Sequence, residues 1–189
     1  MRGVFGPGTL VLGGGAVLLM GLLALGFFLP GTWTATVEST LSVPASRLQP
    51  YLDAPEGWRA WTTWPDSGLV RSGPERGAGA RMAWDDPEVG SGSFTIEAVD
   101  PDGGVTYAVE VAGEAGSSMR TRGSVTLRSE GMETAVRWTE EGDLGTNPLM
   151  GYWAPFMERA QSAEMSKSLD RLADVAAGAD SMSSPGPTR

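Results

Sequence analysis

Three kinds of side chain in this sequence could do chemistry: a set of aromatic and methionine residues, scattered carboxylates, and Tyr107. The apolar set is Met82, Trp84, Phe94, Ile96, Tyr107, Val109, Trp138, Trp153, Phe156 and Met157. Ligand pockets are lined mainly by apolar and aromatic side chains with a few placed polar groups, and methionine adapts to irregular shapes. These ten are therefore the candidate ligand-binding residues, with core packing the first expectation for any single one of them. A desolvated carboxylate can be tuned toward neutral pH, and it or Tyr107 could then supply acid–base chemistry. No paired constellation is visible, so no residue is assigned a catalytic role.

Absences narrow the chemistry further. The chain has no cysteine and no histidine. Disulfides, thiolate nucleophiles and cysteine-ligated metal sites are excluded, as is the acylated cysteine of a bacterial lipoprotein anchor. Without histidine there is no serine–histidine triad, and the usual neutral-pH base and the commonest metal ligand are missing. The formal net charge is -9. An acidic chain repels phosphate backbones, so nucleic acid is not an expected partner.

Three clusters invite sharper readings and fail them. Asp85, Asp86 and Glu88 share one loop but lack the spaced ligand set of a calcium site, so a solvated turn and no metal are expected. Gly77-Ala78-Gly79 has Met82 where a dinucleotide loop would place its third glycine, and a strand follows, so no nucleotide cofactor is expected. Trp58, Trp61 and Trp64 could form a lip over a pocket or an interfacial patch, but their spacing suits a buried stack better. Glu97, Glu110, Arg120, Arg122 and Arg137 fall within strands. An inward Arg–Glu pair would orient a ligand headgroup; pairs on the sheet surface are the default.

The elements that would position these residues follow from periodicity. Trp33 to Leu41 alternates imperfectly and is rich in Thr and Val, as a first strand is. A short helix near Leu48, Tyr51 and Leu52 is interrupted by Pro50. Candidate strands run from Gly79 to Trp84, Ser91 to Val99, Val105 to Val111, Met119 to Arg128 and Thr134 to Glu141. Their short connections, Asp100-Pro101-Asp102-Gly103-Gly104 among them, imply an antiparallel meander. From Leu149 to about Ala177 the period becomes helical, with Leu169, Leu172, Ala173 and Ala176 on one face and Met165 one turn earlier. That long helix is expected to start or kink at Pro155 and to stop at Gly178, with Ser181 to Arg189 a disordered tail.

Ahead of the first strand, Leu10 to Leu29 carries no charge and no strongly polar side chain. Twenty residues at about 1.5 Å each match the roughly 30 Å hydrocarbon core of a bilayer. Pro30 and Gly31 close the run, and Trp33 stands where an interfacial aromatic would. A cleaved signal peptide is the alternative, but the run exceeds its usual length of about 7–15 residues, and no good cleavage site follows. The expectation is one uncleaved span. Arg2 is the only charged side chain before the acidic flank beginning at Glu38, which favours a cytoplasmic N-terminus and an extracytoplasmic domain. The expected organisation is residues 1–31 as a membrane anchor, 32–177 as one domain, and 178–189 as the tail.

The ordered segments Ser42-Val43-Pro44-Ala45-Ser46, Trp58-Arg59-Ala60-Trp61-Thr62-Thr63-Trp64-Pro65, Gly90-Ser91-Gly92-Ser93 and Glu141-Gly142-Asp143-Leu144 carry a family resemblance. So do Ser72 to Ala80 and the lead through Asn147-Pro148 into the last helix. Together, from Trp33 to Ala177, they resemble the START-like (SRPBCC) superfamily of polyketide cyclases, dehydrases and lipid-transport proteins, in a membrane-anchored form. The resemblance implies an α+β helix-grip fold: a curved antiparallel sheet wrapped around a long C-terminal helix, here preceded by one N-terminal transmembrane helix. It also implies a cavity for a lipid or other hydrophobic small molecule, without implying an enzyme. A cyclase or hydratase, or a protein-interaction or stress-response domain with no ligand, are the alternatives.

Overall fold

The computed structural model describes residues 19–113, 118–145, 147 and 149–183. Residues 19–26 are helical and form α1. Residues 10–18 of the expected membrane run lie outside the described residues, as do residues 184–189 of the expected tail. Among the described residues no helix is long and apolar enough to cross a membrane.

Strand β1 (Thr32–Leu41) leads into two short helices, α2 (Ala45–Leu52) and α3 (Pro55–Trp58). Six strands follow: β2 (Val70–Ser72), β3 (Arg81–Asp86), β4 (Gly90–Val99), β5 (Val105–Ala112), β6 (Ser118–Glu130) and β7 (Glu133–Asp143). Helix α4 (Met150–Ser183) ends the described chain. The seven strands make one antiparallel sheet in the order β1-β7-β6-β5-β4-β3-β2. After β1 the chain crosses through α2 and α3 to the far edge, then meanders back until β7 pairs with β1 from Thr32↔Asp143 to Leu41↔Thr134.

Alternation decides which face of each strand is buried. In β7 the inward set is Thr134, Val136, Trp138, Glu140 and Gly142; in β1 it begins with Trp33 and Ala35. Helix α4 closes that face and packs against β1 and α2. It presents Met165, Leu169, Leu172 and Ala176, each at most 1% exposed, at the spacing of one helical stripe. Outward positions carry the ion pairs. Arg120 and Arg122 reach Glu97 at 2.7 and 3.0 Å, and Arg137 reaches Glu38 at 2.8 Å. The two arginines hold the Glu97 carboxyl below its usual range. The strand charges are thus surface pairs, and none of these arginines faces the interior.

Several boundaries differ from the sequence expectation, each for a physical reason. Strand β2 was not foreseen: its three residues are all exposed, so it carries no burial pattern. Asp85 and Asp86 belong to β3 rather than to the turn. Asp86 accepts hydrogen bonds from Ser67 Oγ (2.7 Å) and from the Glu88 and Val89 N–H groups (2.9 and 3.3 Å), and so caps the turn that follows. Helix α4 begins at Met150, ahead of Pro155, and in the turn before it Asn147 Oδ1 accepts the Leu149 N–H at 3.0 Å. It passes Gly178 without stopping, since an exposed helix tolerates a glycine for about 1 kcal/mol. Trp33 is 6% exposed and part of the core, not an interfacial anchor. Its ring covers Gly142, where a Cβ would stand 2.5 Å from it.

Candidate functional site

The parity that buries one face of the sheet also gathers its aromatic rings. Strands β4, β5 and β7 bring Phe94, Tyr107 and Trp138 inward side by side. Helix α3 lowers Trp58 among them, with ring centroids 4.6 Å from Tyr107, 5.0 Å from Phe94 and 5.9 Å from Trp138. Two indole N–H groups hold this turn of chain in place: Trp58 Nε1 donates to the Leu52 carbonyl at 2.7 Å, and Trp61 Nε1 to the Tyr51 carbonyl at 3.1 Å. From the following loop Trp64 stands edge-on to Trp84 of β3 and to Phe94, at 6.0 and 5.5 Å. Two glycines make room. Trp84 lies over Gly92 and Tyr107 over Gly123, so closely that a Cβ at either position would overlap the ring.

Between these rings and α4 lies a cavity of about 270 Å³. That is at the small end of ligand pockets, which run from roughly 300 to 1,000 Å³. Helix α4 contributes Gln161, Glu164, Met165 and Ser168, and the loop contributes Thr62, Thr63 and Pro65 beside Trp64. Loop and helix are tied together. Thr63 Oγ1 donates to Glu164 Oε1 at 3.3 Å, and Arg171 Nε donates to the Trp61 carbonyl at 2.8 Å. Arg171 also bonds Glu164 and Ser168, at 2.8 and 2.7 Å, and keeps the Glu164 carboxyl below its usual range. A larger depression of about 620 Å³ lies on the opposite face of the sheet, but exposed charged residues such as Glu38, Arg128 and Arg137 line it.

One polar relay crosses the cavity wall. Trp138 Nε1 donates to Tyr107 Oη at 2.7 Å, and Tyr107 Oη in turn donates to Glu140 Oε1. Gln161 Nε2 donates to the other carboxylate oxygen of Glu140 at 2.5 Å. Glu140 is only 6% exposed. Burial pushes its carboxyl above the ordinary glutamate value, against the two hydrogen bonds that favour the charged form. Burial first, then the adjacent Glu140, pushes the Tyr107 hydroxyl well above its ordinary value. Tyr107 therefore keeps its proton, and Glu140 is the titrating member of the pair.

Of the ten residues singled out in the sequence, Trp84, Phe94, Tyr107, Val109 and Trp138 line the cavity. Met82 and Ile96 are buried outside its lining, and Met157 is half-buried against the core. Trp153 and Phe156 are exposed, 54% and 60%, with their rings in edge contact at 5.8 Å. Trp58 and Trp64 line the cavity, whereas Trp61 stacks behind Trp58. Glu140, Gln161 and Glu164 were not foreseen. For Glu140 the signal was present: it follows Val136 and Trp138 at the inward period of β7.

An antiparallel sheet gripping a long helix, with an aromatic cavity between them, defines the helix-grip fold. The chain belongs to the family described as polyketide cyclase/dehydrase and lipid transport, whose model matches residues 32–177, within the START-like superfamily. No curated protein matches the chain in sequence. Among solved structures it is similar to Mll3558 protein from Rhizobium loti, with 19% identity, 76% of this chain and 96% of that one covered, and a TM-score of 0.53. It is also similar to norcoclaurine synthase from Thalictrum flavum in complex with dopamine and hydroxybenzaldehyde, with 12% identity, coverage of 78% and 87%, and a TM-score of 0.58. The hypothetical protein jhp0584 from Helicobacter pylori aligns with 7% identity, coverage of 76% and 87%, and a TM-score of 0.59. At these identities the likeness is one of fold.

Proposed function

We infer that this chain holds a hydrophobic small molecule in the cavity under α4 while residues 10–29 tether it to a membrane, with the domain on the extracytoplasmic side. The observation that carries the binding reading is the cavity itself, walled by six aromatic side chains from five elements and a loop. Family membership supports it, and norcoclaurine synthase is a protein of similar fold that takes small aromatic molecules.

The tether is supported by what stays apolar and exposed. Leu19, Met20, Leu22, Leu25, Phe27 and Phe28 are all open on their outer side. Beside them, at the start of α4, Leu149, Tyr152, Trp153 and Phe156 are exposed as well. Tyr152 Oη donates to the Leu22 carbonyl at 2.7 Å, so the two groups share one surface. A contiguous apolar patch of this kind suits a bilayer boundary, and aromatic rings favour its headgroup level.

Native mass spectrometry of the full chain extracted in detergent tests the binding reading. The expected result is a bound small molecule that apolar fluorescent probes displace. No co-purified molecule together with no probe uptake would overturn it.

A second reading, proton-transfer chemistry of the cyclase or hydratase type, is favoured by the Tyr107–Glu140 pair in the cavity wall. Conversion of a bound molecule that disappears in Glu140→Gln would establish that reading.

A further inference from the structure

The buried carboxylate of Glu140 has no cationic partner among the described residues. Among the described residues its hydrogen-bond donors are Tyr107 Oη and Gln161 Nε2, both neutral, and it makes no salt bridge. Glu164, the other acid of the lining, is different, because Arg171 and Lys167 lie 2.8 and 3.8 Å from it. Among the described residues no lysine or arginine lines the cavity.

The relay around Glu140 is ordered for an anion. Tyr107 Oη accepts from Trp138 Nε1, which leaves its single proton for Glu140 Oε1, and Gln161 occupies Oε2. Both carboxylate oxygens thus accept, and the charge they share is left uncompensated. Burying an unpaired charge is costly, and the cost persists until a counter-charge arrives. A chain that contained its own counter-ion would place a lysine or arginine here, yet the walls around Glu140 are aromatic.

Trp58, Trp64, Trp84, Phe94, Tyr107 and Trp138 surround the same space. Aromatic faces attract cations through their quadrupole, most strongly when the cation is desolvated. The chain's net charge of -9 draws cations toward it and repels anions. Resting on the binding reading above, we propose that the cavity is a site for a small amphipathic cation, an amine or quaternary ammonium group on an apolar body, with its charge set against Glu140 inside the aromatic box. Glu140 disfavours anionic amphiphiles such as fatty acids, and about 270 Å³ is too small to enclose a long-chain lipid whole.

A matched series of probes tests this. The para-tert-butyl derivatives of benzylamine, benzyl alcohol and benzoate share one apolar body and carry a positive, a neutral and a negative group. Binding to the full chain in detergent is followed by tryptophan fluorescence at neutral pH. The amine is expected to bind about tenfold more tightly than the alcohol, the scale of one desolvated cation–π and charge contact; the benzoate is expected not to bind.

In Glu140→Gln the preference for the amine over the alcohol should disappear, the ratio of the two affinities falling to within about twofold of one. Trp64→Leu, on the loop rather than in the core, gives a second reading of the box and should weaken the amine more than the alcohol. Equal or tighter binding of the alcohol, or a preference that survives Glu140→Gln, overturns the cation site and leaves the binding module standing. Failure of all three probes to bind removes both.

Discussion

Glu140 is the buried acid of the cavity wall, and its surroundings shift its carboxyl. Burial raises its carboxyl above the ordinary value of 4.5, and the donors Tyr107 and Gln161 oppose that rise without cancelling it. The folded chain therefore holds this proton more tightly than the unfolded chain does. The stability that follows is fully present below the ordinary value and is lost as pH rises through the folded one. Glu140→Gln cannot ionise and keeps what the parent loses. Ligand-free thermal melts should show the two alike at about pH 4, and the variant melting higher at about pH 7. A parent that melts higher at neutral pH would mean that the relay compensates the charge by itself.

At the level of elements, the strands were legible wherever one face is buried and the other wet. The alternation in β1 and β7 placed them within a few residues, because a slip by one would turn Trp138 outward and Arg137 inward. Strand β2 lacks such a face and gave no signal. The aromatic half of the cavity was legible for the same reason as the strands: inward parity and ring size. Its polar half was missed because a glutamate in a strand reads first as a surface residue, and only its position two after Trp138 distinguishes Glu140 from Glu141. Gln161 and Glu164 depend on the rotation of α4, whose apolar face was read from Ala176 back to Met165 and no further.

That anchoring stripe has its own test. Leu169 is 1% exposed in the central cluster, and α4 is held to the sheet by that stripe. Leu169→Ala should lower stability by about 2–5 kcal/mol in denaturant unfolding. A loss under about 1 kcal/mol would show that the helix is held by something other than its apolar stripe.

For the whole molecule, the exposed apolar surface at the start of α4 lies next to the segment read as the tether. The surface and the segment are in contact through Tyr152 and Leu22. Trp153→Ser combined with Phe156→Ser changes two exposed side chains, 54% and 60% open, so the fold should be unaffected. If the domain rests this face on the bilayer, the full-length double variant in liposomes should show greater solvent exposure of Tyr152 and faster proteolysis near Leu149. Unchanged cleavage and unchanged exposure would show that this face does not rest on the bilayer.

The ties between the loop at Thr62–Pro65 and α4 bear on time rather than on recognition. Thr63 on Glu164 and Arg171 on the Trp61 carbonyl are a few hydrogen bonds at a partly wet boundary, each worth about 0.5–1.5 kcal/mol. A guest held under Trp64 would pass that boundary on leaving, so the latch would bear on its dwell time and the rings on its fit. The two properties are then separable: a change in the latch would shorten every visit alike, without altering which molecules are admitted.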